Sequence, residues 1–180
     1  VLVVGGGPTG LIAALAAGRT GARVIIADEQ PVLGGSLLSS TISIGSKRPT
    51  DWVKQVVSEL TRMPEVILLR RSTVTGYYDH NFLVINERRT DHLEQPDSRF
   101  SRERIWRVRA SQAVLATGAI ERPLVFSNND KPGVMLASAV SAYLVRYGVL
   151  PGRKIVFFTN NDSIYQTVLQ VFNAGVEVVG

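Results

Sequence analysis

The most constraining feature of this chain is its first turn, where four apolar residues, Val1 to Val4, run into Gly5-Gly6-Gly7-Pro8-Thr9-Gly10 at the head of an alanine- and leucine-rich segment. A short apolar run bounded by glycine reads as a buried strand. Pro8 suits the first position of a helix, where a missing N–H leaves no bond unmade. The pattern predicts a strand at Val1 to Val4, a helix from about Pro8 to Arg19 and a strand from Arg23 to Asp28. Strand, helix and strand with short links form the right-handed crossover of a parallel sheet, so the expected class is α/β.

Beyond a glycine- and serine-rich loop from Gln30 to Pro49, a second helix is expected from Thr50, read as its cap, with Asp51 in the first turn. Trp52, Val53, Val56, Val57, Leu60 and Met63 form its apolar face, and Pro64 ends it. Val66 to Leu69, Ser72 to Tyr78, Phe82 to Asn86 and Arg104 to Ala110 read together as a small antiparallel insert, centred on about 72–110, with Asp79-His80-Asn81 as a tight turn. Ala113 to Ala116 returns to the parallel-strand pattern and meets Thr117-Gly118, and a helix is expected at about Ala137 to Tyr147. Pro151-Gly152 suggests a boundary, giving one domain over 1–150 and, over 151–180, the start of a second crossover unit. Its expected elements are a strand from Lys154 to Phe158, a helix near Asp162 to Asn173 and a strand from Val176. Val1 already lies inside a strand-like run and Val176 to Gly180 stops abruptly, so a longer polypeptide is expected.

Composition narrows the chemistry. A hydrophobic fraction of 45% with 19% charged residues is that of a folded globular protein. The absence of cysteine excludes disulfide scaffolds, thiolate metal sites and a dithiol redox centre. The net charge of +5 invites a nucleic-acid partner, but the seven arginines between Asn86 and Arg109 are interleaved with Glu87, Asp91, Glu94, Asp97 and Glu103. That mixture reads as a solvated surface. The uncharged first eighteen residues are interrupted by the glycine turn and lack a basic flank, so neither a membrane span nor a targeting segment is expected.

The spacing Gly5-x-Gly7-x-x-Gly10 gains its meaning from context: it follows a strand, opens a helix and precedes acidic residues, Asp28 and Glu29, at the end of the next strand. Gly5 permits the turn, Gly7 lets backbone approach a pyrophosphate, and Gly10 allows helix and strand to close together. Exposed amides and the positive helix end attract the diphosphate, while Asp28 or Glu29 accepts from an adenosine ribose. An acid there disfavours a 2′-phosphate, so FAD or NAD is expected rather than NADP.

Over its full length the chain resembles the flavoproteins and pyridine-nucleotide oxidoreductases with two dinucleotide-binding domains, through DEQPVLGGSL after the acid and VLATGAIERP at Val114 to Pro123. The narrower phrases GYYDHNFL at Gly76, ATGAIERPLVFSNNDKPGVMLASAV at Ala116 and FTNNDS at Phe158 resemble the alpha subunits of heterotetrameric sarcosine oxidases. That resemblance implies a Rossmann-like fold and an oxidoreductase that converts sarcosine to glycine, reducing oxygen to hydrogen peroxide and releasing the methyl group as formaldehyde or passing it to tetrahydrofolate. It further implies NAD in the first glycine turn, FAD and FMN on a beta subunit or its interface, beta, gamma and delta partners, and a cytoplasmic location. An FAD- or ATP-binding subunit of a related amine or proline dehydrogenase is the alternative, and a purely structural nucleotide-binding module is a third. Carried onto this chain, the cofactor positions are Gly5, Gly7, Thr9 and Gly10 at the phosphates, Asp28, Glu29 and Gln30 near the ribose, and Gly35, Ser36, Val74, Thr117 and Gly118 around them. Thr9 departs from the common alanine, though both side chains are small.

The second crossover unit has Thr159-Asn160-Asn161-Asp162-Ser163 where a nucleotide-binding turn needs glycine, so it is expected to be degenerate. His80 belongs to a turn, and His92 lacks a partner at metal-ligand spacing. Tyr77 and Tyr78 are adjacent on a strand and face opposite sides, so at most one can meet a ring. Ser163 lacks the glycine-flanked elbow of a nucleophile. No catalytic residue is assigned.

Overall fold

The computed structural model describes residues 1–179; Gly180, the end of the last expected strand, lies outside the described residues. The chain forms two compact units, one of Val1–Gly35 with Thr50–Gly118 and the other of Ser36–Pro49 with Ala119–Gly180.

The first unit begins with β1 (Leu2–Val4), α1 (Pro8–Arg19) and β2 (Val24–Ala27), close to the sequence expectation. α1 has Gly7 as an extended N-cap and Pro8 in its first turn. At its other end the Thr20 hydroxyl donates to the Ala17 carbonyl at 2.7 Å and Gly21 turns the chain with φ of +79°. α2 (Pro49–Arg62) starts one residue before the expected cap, so Thr50 lies inside the first turn. Proline takes the first helical position because its fixed φ is already helical. Val53, Val56 and Leu60 are the buried stripe of α2.

β3 (Val66–Leu69) corrects the grouping expected from the sequence. It pairs parallel to β2, with Val24 opposite Val66, and completes a four-stranded parallel sheet ordered β3-β2-β1-β7, where β7 is Ala113–Leu115. An apolar run of four residues reads alike in a parallel and an antiparallel sheet, so α2, which makes the crossover, decides the outcome. β4 (Ser72–Tyr78), β5 (Phe82–Arg88) and β6 (Glu103–Arg109) form the antiparallel insert. His80 and Asn81 take left-handed φ values of 58° and 51° in the β4–β5 turn, and the Asn81 carboxamide oxygen accepts from the Tyr77 hydroxyl at 2.6 Å.

Alternation places the core. Leu2, Ala27 and Leu69 point from one face of the parallel sheet into a cluster with Leu83, Ile85 and Ala110 of the insert and its end. Val3, Val24 and Ile26, one residue out of phase, are also buried, and α1 packs on β1 and β2. Covering both faces explains why these strands are apolar almost throughout.

In the second unit α3 (Ala137–Ser141) continues into a wider π turn over Ala142–Arg146, where a single regular helix was expected. β8 (Lys154–Ile155), α4 (Ile164–Asn173) and β9 (Glu177–Val178) make the expected parallel crossover, but β8 pairs over two residues, with Lys154 opposite Glu177, rather than reaching Phe158. Val140, Val171 and Val176 form its core. Gln170 is buried but satisfied: its amide donates to the Ser39 carbonyl at 3.2 Å and the Thr41 hydroxyl at 3.3 Å, and its oxygen accepts from Ser141 at 2.7 Å. Among the described residues no helix is long and apolar enough to cross a membrane.

Two outcomes test this packing. A Cβ added at Gly10 would stand 1.8 Å from the Gly5 carbonyl oxygen, so Gly10→Ala is expected to cost roughly 1–3 kcal/mol in urea unfolding. Glu121 caps α3 by accepting from the Ala137 and Ser138 amides at 3.2 and 2.7 Å. Partial burial works against its charge, but the Ser138 and Ala137 amides outweigh it and hold the carboxyl below its ordinary value. The cap is therefore complete above the usual carboxylate range and is lost as pH falls through the lowered value. Hydrogen exchange should show the Ala137 and Ser138 amides losing protection as pH falls below the ordinary carboxylate range, and Glu121→Gln should remove that pH dependence.

Candidate functional site

The glycine turn leaves β1 at the carboxyl ends of the parallel strands, the edge at which open α/β sheets place their ligands. Gly5 has φ of +100°, and a Cβ on it would meet the Ala116 carbonyl oxygen at 2.2 Å. The Gly5 amide donates to Ala27 and the Ala116 amide to Val4, both at 2.8 Å, so the turn is seated between β2 and the end of β7. Thr117 and Gly118 continue from this seat, both exposed, with Gly118 at φ of +74°.

Gly7 differs from its neighbours. The nearest atom that a Cβ there would meet is the Gly35 Cα, 3.9 Å away. Protein packing therefore does not require glycine at position 7, whereas it does at positions 5 and 10. Gly35, at φ of +52°, closes on Gly7 so tightly that its own Cβ would lie 2.8 Å from the Gly7 Cα. The Gly34 amide donates to the Gly6 carbonyl at 2.8 Å and holds this return loop against the turn. Thr9 is exposed in the first turn of α1, and Ser36 follows Gly35 as the first residue of the second unit.

The acids at the end of β2 are not equivalent. Asp28 accepts from the Gly6 amide at 2.5 Å through one carboxylate oxygen and from the Gln30 amide at 2.7 Å through the other. Its backbone is tied as well, its amide donating to Leu69 at 2.9 Å and its carbonyl accepting from Ser72 at 2.8 Å. Glu29 and Gln30 are exposed, and the Gln30 amide nitrogen stands 3.5 Å from a Glu29 carboxylate oxygen. Val74 sits just before a bulge in β4 and turns its side chain to the core cluster.

Sequence reading passed over Gly6, which occupies a free position of the glycine pattern. A Cβ on it would meet Leu33 Cδ2 at 2.5 Å and Asp28 Oδ2 at 3.1 Å. The signal was present as a third consecutive glycine, but the atoms that demand it lie 22 residues and more along the chain.

The turn after β8 is built differently. The Thr159 hydroxyl accepts from the Asn161 amide at 3.2 Å, and the Asn161 carboxamide oxygen accepts from the Ser163 amide at 3.0 Å. Amides that would face an anion are thus bound to side chains of the same turn. A shallow cavity of 340 Å³ beside α4 is lined by Thr41, Leu144, Val145, Gln170, Asn173 and Ala174 and offers no carboxylate, cation or imidazole.

Comparison with known proteins agrees with this architecture. A family model for FAD dependent oxidoreductases matches residues 1–117. The alpha subunit of sarcosine oxidase from Rhizobium meliloti (strain 1021) is 52% identical over 179 residues, covering 99% of this chain and 18% of that protein. The corresponding subunit from Corynebacterium sp. (strain U-96) is 49% identical over 177 residues, covering 97% of this chain and again 18% of that protein. The chain thus spans 18% of the length of these curated relatives. L-proline dehydrogenase from P. horikoshii shares the fold, with a TM-score of 0.78 and 24% identity over 99% of this chain and 34% of that one. A parallel sheet with its glycine turn, antiparallel insert and second crossover, matched by the family model over its first 117 residues, places this chain in the FAD dependent oxidoreductase family.

Proposed function

We propose that the first turn holds the diphosphate of an ADP-containing dinucleotide, NAD, as part of a multisubunit enzyme that oxidises sarcosine. The observation that carries the nucleotide reading is Gly7: a Cβ there would make only an ordinary contact with Gly35 Cα at 3.9 Å, so packing does not demand glycine at the N-terminus of this twelve-residue helix. A glycine that packing does not demand at a helix N-terminus fits close approach by a bound diphosphate. Gly5, Gly7, Thr9 and Gly10 would surround the phosphates, Asp28, Glu29 and Gln30 would form the ribose end, and Gly35, Ser36, Val74, Thr117 and Gly118 would complete the surroundings.

Similarity to two sarcosine oxidase alpha subunits at 52% and 49% identity supports the substrate reading. In that reaction sarcosine, oxygen and water give glycine, formaldehyde and hydrogen peroxide, the methyl carbon passing to tetrahydrofolate when that acceptor is present. A flavin supplies the acceptor for the two electrons and the hydrogen leaving the amine. Following the same similarity, we assign FAD and FMN to a beta subunit or its interface, with gamma and delta subunits completing a cytoplasmic assembly. FAD in the glycine turn itself is the second reading, favoured by the family match over residues 1–117.

One measurement decides between them, and a second tests the site that both share. Nucleotide released from the protein isolated with its natural partners is expected to be NAD by absorbance and mass, unreduced after sarcosine is added. A flavin attributable to this turn would favour the second reading, and loss of both nucleotides from the site would overturn the first. Gly7→Ala is expected to change stability by less than about 0.5 kcal/mol, because the added methyl meets no protein atom closer than 3.9 Å, while dinucleotide stoichiometry falls toward zero.

A further inference from the structure

The antiparallel insert turns one face to the core and leaves the other uncovered. We infer that this outer face is a docking surface for a partner protein, which meets it with an acidic segment that also carries an apolar or aromatic side chain. The inference is independent of what the glycine turn binds.

Register defines the face. Leu83, Ile85, Trp106 and Val108 point into the core cluster, so their neighbours along β5 and β6 point outward. Phe82 then stands opposite Arg109, Val84 opposite Arg107 and Asn86 opposite Ile105, while β4 adds Tyr78 beside Phe82 and Gly76 beside Val84. An antiparallel sheet that faces water on one side carries polar side chains there. Here Tyr78 and Ile105 are each 57% exposed, with Phe82 and Val84 half-buried on the strand between them.

Gly76 shows how the aromatic part of the face is made. Glycine weakens the interior of a strand and often marks a close approach by another group. A Cβ on Gly76 would lie 2.5 Å from Tyr78 Cε2 and 2.6 Å from the Tyr78 hydroxyl, so the ring lies down over Gly76. Its centroid is 6.0 Å from that of Phe82, with the two planes at 40°. Aromatic rings held down on a sheet offer contact area at little cost in side-chain freedom.

Charge decides the partner. Arg99 pairs with Asp97 at 2.6 Å, Arg104 approaches Glu87 at 3.8 Å, and the Arg88 guanidinium donates to the Glu29 carbonyl at 3.2 Å. Those arginines are engaged within this chain. Arg107 and Arg109 are exposed on β6, and their guanidinium groups have no ion pair or hydrogen bond among the described residues. They emerge on the outer face about 7 Å apart, beside Val84 and Phe82. Glu103, the acid of this face, stands at its far end opposite Arg88. Two neighbouring cations without a carboxylate between them repel each other, and a partner that brings carboxylates turns that repulsion into charge-assisted hydrogen bonds. Arginine and aromatic side chains are also what protein interfaces enrich. Nucleic acid is the poorer fit, since two free cations supply few phosphate contacts.

The test uses the full natural chain together with its natural partners. Tyr78→p-benzoylphenylalanine is expected, on irradiation, to crosslink to an acidic stretch of a different polypeptide. A crosslink within the same chain, to a second copy or to nucleic acid, or no crosslink at all, overturns the proposal. Arg107→Glu combined with Arg109→Glu should weaken assembly about tenfold or more and flatten its dependence on salt. Arg62→Glu combined with Arg102→Glu, the same change of charge at exposed positions away from this face, should leave assembly unchanged. Equal affinity of the native and Arg107/Arg109-reversed chains, or an equal loss in the Arg62/Arg102 pair, overturns the assignment to this face. If the reversed chain does not fold, the Tyr78 crosslink decides.

Discussion

The approach of Gly10 to the carbonyl of Gly5 is the contact on which the first unit depends. It brings the first turn of α1 against the end of β1 with no room for a methyl group between them. Once the helix starts there, its buried residues Leu11, Ala14 and Leu15 meet the sheet, and the Arg19 guanidinium at its far end reaches Glu59 of α2 at 2.8 Å. A change at Gly10 therefore reaches the packing of α1 on the sheet.

Around that contact the structure assigns each glycine a separate cause. Gly5 and Gly35 occupy left-handed backbone, Gly6 makes room for Asp28 and Leu33, and Gly10 makes room for Gly5. Gly7 has none of these causes: a Cβ there would meet only Gly35 Cα, at 3.9 Å. The contrast with the turn after β8 is chemical. There the threonine and asparagine side chains accept from the Asn161 and Ser163 amides of their own loop. A shared topology with different turn chemistry leaves one turn open and the other self-capped.

The antiparallel insert has a structural task that its charged surface conceals. Leu83 and Ile85 turn inward against Leu2 and Ala27, closing the face of the parallel sheet opposite α1. The acids among its arginines are partly consumed within the insert: Asp97 pairs with Arg99 at 2.6 Å, and Glu87 accepts from the Trp106 ring nitrogen at 2.7 Å. Mixed charge here accompanies a solvated outer surface over a buried apolar one.

The sequence by itself determined the strand, glycine turn and helix at the start, the antiparallel hairpins and the crossover at the end, because these follow from periodicity and from short-range turn chemistry. Tertiary structure decided what those patterns leave open. Val66 to Leu69 is apolar enough for either sheet, and the α2 crossover placed it beside β2. The helix after Ala137 widened into a π turn, which no local spacing announced. Above all, Asp28 and Glu29 are neighbours of like charge that no sequence rule separates. Their surroundings diverge because one carboxylate meets the Gly6 amide, 22 residues earlier in the chain, and the other is left facing solvent. A hydrogen bond between residues so distant in sequence exists only after the chain has folded.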